Sequence, residues 1–145
     1  MASGGHDVER LITATMDCGF AIHRALGPGL LESAYEILLA AALAKRGLRV
    51  QRQVATPLSF EDVTIEDVYK IDLLVEGLLI VELKSVERLA SVHRKQLLTY
   101  LRITGHPVGL LMNFGEAMLK NGIHRVINDR SDYIAPKIGR ATYHE

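Results

Sequence analysis

The stretch DLLVEGLLIVELK, residues 72–84, places Asp72, Glu82 and Lys84 around one short bend. Apolar residues flank Glu76-Gly77 on both sides. The stretch therefore reads as two strands, residues 63–75 and Leu78–Leu83, joined by a tight turn. Side chains alternate along a strand. Leu79, Val81 and Leu83 fill one face, while Leu78, Ile80, Glu82 and Lys84 take the other. The same alternation groups Asp72 with Lys70 and Leu74. Whether the two charged sets share a side depends on the turn. A two-residue loop at Glu76-Gly77 pairs Asp72 with Val81 and separates the carboxylates. A three-residue loop, with Gly77 left-handed, brings Asp72, Glu82 and Lys84 to one side.

Upstream, Leu11, Ile12, Thr15, Cys18, Ile22 and Leu26 recur at helical spacing within residues 8–26, and Gly27-Pro28-Gly29 breaks the pattern. A second helix is expected from Leu30 to Arg46, stopped by Gly47. Leu48 to Val54 alternates as a strand. Thr56-Pro57 reads as a turn, and Leu58–Phe60 as a short return. Downstream, a helix is expected over Ser91–Thr104, ended by Gly105 and Pro107, and a buried strand over Val108–Asn113. Ile123–Ile127 reads as a further strand and Arg130–Glu145 as a tail. Three antiparallel strands followed by a crossover helix and a parallel fourth strand make a mixed α/β sheet with helices on both faces.

The chain has 145 residues, with 48% hydrophobic and 23% charged. That composition describes one globular domain spanning residues 1–145, with a core over about 8–128 and a C-terminal extension over 129–145. Seventeen basic residues balance seventeen acidic ones. Net charge therefore gives no global pull toward nucleic acid, and any such binding needs a local basic patch. The single cysteine, Cys18, excludes a disulfide within the chain. Met1–Asp7 lacks the basic-then-apolar layout of a signal peptide, and no apolar run reaches the length of a membrane span. The expectation is a cytoplasmic protein without membrane contact.

The charged bend has a definite chemistry if its side chains converge. Mg²⁺ takes hard oxygen ligands in octahedral geometry and keeps several waters; Mn²⁺ is the alternative. Asp72 and Glu82 supply two carboxylates, and the Leu83 backbone carbonyl a third oxygen. Such a cation polarises a phosphate and acidifies a bound water. Lys84 then orients the water and offsets charge on the phosphate oxygens. The competing reading is a surface hairpin with an ordinary Glu–Lys pair, worth little. Against it, Glu82 and Lys84 end a strand that is apolar on both faces. Charges there are costly unless paired or used.

Several motifs together resemble a known family. GPGLLESAY (27–35) matches the pattern of the GxxExxY proteins through Gly29, Glu32 and Tyr35. The likeness continues through YKIDLLVEGLLIVELKSVERL (69–89), QLLTYLRITG (96–105), GLLMNF (109–114) and NGIHRVIN (121–128). That family looks like a branch of the PD-(D/E)xK nucleases, which implies a restriction-endonuclease-like fold. By resemblance, Asp72, Glu82 and Lys84 take the metal-binding and catalytic positions. Ile71 stands where the motif's name expects proline. Glu32 would complete the metal shell, directly or through water. Gln96 and Tyr100 match the QxxxY motif of RecB-like nucleases and face one way on their helix. Gln96 would hold Lys84 or a phosphate, and Tyr100 would bond a phosphate or brace the site.

Plainer roles exist for some of these. A carboxylate early in a helix, as at Glu32, is favoured by the dipole alone. Tyr35 reads as a core aromatic with a bonded hydroxyl. His23 and His93 lack zinc-ligand spacing. Two basic clusters stand out: Lys45, Arg46, Arg49 and Arg52, and then Arg88, His93, Arg94 and Lys95. The second lies just past Lys84 and is the better candidate for holding a backbone phosphate. The reading that results is a metal-dependent nuclease acting on DNA or RNA, with a homodimer improving its grip. Its rivals are a silent binding module on the same fold and a small-phosphoester hydrolase.

Overall fold

Leu79, Val81 and Leu83 point one way and Ile80 the other, so β3 (Leu79–Lys84) is apolar on both faces and sits inside the sheet. The computed structural model describes residues 4–130. Around β3 it arranges α1 (Gly4–Leu26), α2 (Glu32–Lys45), β1 (Val50–Phe60), β2 (Val63–Val75), α3 (Ser91–Thr104), β4 (Val108–Asn113) and β5 (Ile123–Ile127). The expected tail lies, beyond Arg130, outside the described residues.

The five strands run in the order β1-β2-β3-β4-β5. Only β3 and β4 are parallel; the other neighbours are antiparallel. The crossover between β3 and β4 is α3, as the sequence order requires. α1 and α2 cover one face. Their Leu11, Ile12, Tyr35, Leu39 and Leu43 pack with Leu73, Val75, Val81 and Leu83 in a first core. α3 covers the other face, where Leu97 and Leu101 meet Ile71, Leu74, Ile80 and Leu111. No described helix is long and apolar enough to cross a membrane.

The expected turn at Thr56-Pro57 does not form. β1 runs through it to Phe60, with a register shift between Thr56 and Leu58. Proline removes a ladder donor, and an edge strand at an irregularity tolerates that loss. The return comes later, at Glu61-Asp62, where Phe60 pairs with Val63. α2 begins at Glu32 and β1 at Val50, each two residues later than expected. Leu78 belongs to the bend and packs with the first core, not beside Ile80.

The even alternation expected along 70–74 also fails. Ile71 and Leu74 both belong to the α3-side core, whereas Leu73 faces the other. Residues three apart share a side only if the strand slips by one. On β1, Val50 packs with the first core and Val54 with the second, so that strand slips too. The two slips meet at Gln53 and Asp72, which stand opposite each other between the pairs Arg52↔Leu73 and Val54↔Ile71. Gln53 has a left-handed φ of 53°.

Candidate active site

The β2–β3 loop holds three residues, Glu76, Gly77 and Leu78, between the paired Val75 and Leu79. Glu76 and Gly77 have φ of 52° and 65°, and the Leu78 N–H closes the turn on the Val75 carbonyl at 3.0 Å. The pairs Leu73↔Val81 and Leu74↔Ile80 set the register. One residue further, Asp72 stands opposite Glu82. The two carboxylates then take over the backbone ladder. The Leu83 N–H donates to Asp72 Oδ2 at 2.9 Å, and the Asp72 N–H donates to Glu82 Oε1 at 3.3 Å. In a strand, N–H and C=O of one residue leave by the same edge. The Leu83 carbonyl therefore faces the same side as Asp72.

Glu32 comes from the first position of α2, where a carboxylate suits the helix dipole. The loop before it is tied down. The Tyr35 hydroxyl donates to the Gly27 carbonyl and accepts from the Leu30 N–H, and its ring stacks on Phe114. Ser85 Oγ bonds the Leu30 carbonyl at 2.7 Å, joining this loop to the residue after Lys84. Gly29 has a φ of 115°, which only glycine adopts readily. Asn113, fully buried at the end of β4, fixes the segment after Lys84. Its side chain bonds both backbone groups of Val86, at 3.0 and 2.9 Å.

Electrostatics tie these groups together. Burial pushes the Glu82 carboxyl up to about 8; Asp72 adds to this, while a hydrogen bond from Tyr69 and the charge of Lys84 oppose it. Burial also raises Asp72, with the Leu83 N–H opposing and Glu36 reinforcing. Glu32 is raised by burial as well, against the pull of Lys84 and with the push of Asp72 and Glu36. These carboxyls are raised chiefly because burial strips water from their charged form, and all their donors are hard oxygens. The set suits a hard divalent cation. Among the described residues, no three His, Cys, Asp or Glu side chains converge closely enough to bind one ion. The oxygens that could hold such an ion are those of Asp72 and Glu82 and the Leu83 carbonyl, with the Glu32 carboxyl in their field.

Three residues at the site were not singled out for it from sequence. Glu36, only 5% exposed, lies one turn after Glu32, and that i,i+4 spacing was the available signal. It is saturated by the Arg52 guanidinium, at 3.0 and 2.9 Å, and by Gln53 Nε2 at 2.6 Å. The same Gln53 nitrogen lies 3.2 Å from Asp72 Oδ1. Tyr69 bonds Glu82 and stacks face to face on Tyr100, with ring centroids 3.6 Å apart. Tyr100 thus reaches the site through Tyr69. No sequence spacing announced that contact.

The third helix disposes of its polar residues differently from expectation. Gln96 is exposed and its side chain makes no hydrogen bond among the described residues, so it does not hold Lys84. The His93 ring accepts the Ala90 N–H at 3.1 Å, closing the start of α3. Arg94 meets the His124 ring on β5. Together with Arg88 they line a hollow of about 320 Å³ that also holds Glu116. Burial lowers His124, and Arg94 lowers it further. Arg88 and Lys95 are exposed. His124 lies in one sheet row with Leu111 and Glu82, two strands over from the carboxylate.

A family model for the PD-(D/E)XK nuclease superfamily matches residues 9–126. The chain belongs to that superfamily. Its mixed sheet with flanking helices is the restriction-endonuclease-like fold. Members generally use divalent metals and act on nucleic acid. No curated protein matches the chain, and no solved structure does.

Proposed function

We propose that this member hydrolyses phosphodiester bonds in DNA, with RNA as the alternative substrate, using Mg²⁺ or Mn²⁺. One observation carries the reading: across neighbouring strands Glu82 accepts the Asp72 N–H and Asp72 accepts the Leu83 N–H, with Lys84 and Glu32 in the carboxylates' field. Asp72, Glu82 and the Leu83 carbonyl would hold the metal. Bound there, it would polarise the phosphate and lower the pKa of a coordinated water. Lys84 would orient that water and offset charge on the phosphate oxygens. Tyr69, braced by Tyr100, keeps Glu82 aimed. Glu32 would order water beside the metal.

The GxxExxY branch accounts well for the loop before α2. Gly29 makes the turn, Glu32 faces the site and Tyr35 clamps the loop. An extended substrate is favoured over a small phosphoester by the shape of the surroundings. Two open hollows of about 610 and 480 Å³ share Leu31 and Glu32, and Asp72 lines the second. Arg88 and Arg94 offer a phosphate anchor at one end of the site. Lys95 adds charge nearby. Exposed Leu31, just before α2, and Ile37 and Leu38 on it give an apolar surface that supports pairing of two copies.

The test is cleavage of single- and double-stranded DNA and RNA with Mg²⁺, Mn²⁺ or EDTA, alongside Asp72→Ala and Lys84→Ala. Metal-dependent cleavage lost in both variants is expected. Activity that survives both substitutions or EDTA removes this mechanism.

A further inference from the structure

We propose that Gln53 is a positioning residue for Asp72, and that its left-handed backbone serves to aim its amide. The proposal rests on reading Asp72 as a metal ligand. Gln53 Nε2 lies 2.6 Å from Glu36 Oε1 and 3.2 Å from Asp72 Oδ1. Both partners are carboxylates, which accept and do not donate. A flipped amide would set its oxygen against two anions, so the orientation is fixed and each N–H is used. Asp72 then has both oxygens engaged, Oδ1 by Gln53 and Oδ2 by the Leu83 N–H. Each oxygen keeps a lone pair for a cation.

The backbone supplies the second observation. A regular strand would place Gln53 in plain register opposite Asp72, bonding through the ladder. Instead both strands slip there, and Gln53 adopts φ 53° on a side chain that gains nothing from it conformationally. Left-handed geometry is unfavourable for a residue other than Gly, Asn or Asp. Such strain persists where the surroundings hold it in place. Here the holder is visible: Glu36, itself clamped by Arg52, draws the amide across to Asp72. Glu36 is thereby anchored, its carboxylate held by Arg52 and Gln53. Outer partners of this kind typically change metal affinity 10–100-fold when removed. Gln53 is exposed on the groove wall, so the lower end, about tenfold, is expected.

Gln53→Gly separates this role from a structural one, since it removes the amide and also relieves the backbone. The full chain would be titrated with Mn²⁺ by electron paramagnetic resonance, and melted in EDTA. The expected result is an affinity about tenfold lower with Tm unchanged or raised. Gln53→Asn tolerates left-handed geometry and keeps an amide one methylene too short to bridge; it should lose affinity similarly. Wild-type Mn²⁺ affinity in either variant overturns the proposal. So does a fall in Tm that accompanies the loss. If Asp72→Asn binds Mn²⁺ as tightly as wild type, the ligand reading itself fails, and that outcome is seen separately.

Discussion

The β2–β3 hairpin and the segment from Arg88 through the first turns of α3 both carry dense charge near the site, yet they use it in opposite ways. In the hairpin, register leaves each side chain one place to go. Val75↔Leu79 fixes the loop at three residues, and past Leu73↔Val81 the Asp72 and Glu82 carboxylates bond the neighbouring backbone N–H groups. On α3, the exposed face leaves each residue to its nearest partner. His93 closes its own helix end, Arg94 finds His124, and Gln96 stays in solvent. Ladder geometry makes a site rigid; a helix face supplies charge without fixing where it points.

The largest expected effect breaks the comparison at Glu82. Glu82→Gln should lower cleavage by about a thousandfold, as loss of a group that stabilises reacting charge does. Gln96→Ala should stay within about twofold of wild type. A large loss at Gln96 would mean that the helix face is held to the chemistry as firmly as the hairpin. The Glu82 carboxylate also governs stability without metal. Folded Glu82 holds its proton to about 8, against an ordinary 4.5. Between those values the fold binds the extra proton, so metal-free stability falls as pH rises through this window. The slope is at most about 1.4 kcal/mol per pH unit. Below about pH 4.5 the penalty is absent. Urea unfolding in EDTA at pH 8.5 should find Glu82→Gln more stable than wild type by an amount on the order of a few kcal/mol. Raised Asp72 leaves the variant a weaker slope of the same sign. A wild-type stability equal at pH 5.5 and 8.5 would contradict this account.

The same contrast explains what the sequence made legible. Strands and helices were readable because apolar periodicity is a local property, and β3 announced itself by being apolar on both faces. The three-residue loop between Val75 and Leu79 was one of two outcomes the sequence allowed, and the sequence did not choose between them. Pro57 misled because its meaning depends on whether β1 is an edge strand, which sequence does not state. Glu36 and Gln53 escaped notice for a related reason. Their value lies in a contact between α2 and β1, and in a positive φ that no residue type at position 53 signals. Tyr69 is visible only once α3 lies over β2 and brings Tyr100 onto its ring.

A middle-sized effect sharpens the comparison at the far end of the site. Arg94 and Arg88 line the hollow beside His124, in line with Glu82 across the sheet. Arg94→Ala should weaken binding of a fluorescent oligonucleotide in EDTA by about tenfold, and lower the salt slope by about one. Lys95→Ala, exposed and outside the hollow, should change affinity less. Equal effects of the two would make the patch a diffuse field and leave the hollow without a special part.

The smallest expected effect concerns His93, where the two accounts of α3 differ most clearly. As a substrate contact, His93 would show its loss in KM or kcat. As the structure has it, the ring nitrogen accepts the Ala90 N–H, a group that the helix start would otherwise leave unpaired. Accepting that bond requires the ring nitrogen to be unprotonated. His93→Ala should therefore cost about 0.5–1.5 kcal/mol of stability, the usual net value of one hydrogen bond. Cleavage rate and oligonucleotide affinity should hold within about twofold. His93→Asn, which restores an acceptor near the same N–H, should recover part of the lost stability without touching activity. A variant that melts like wild type but binds nucleic acid poorly would return His93 to the substrate side, and with it the view that α3 presents its charged residues as one surface.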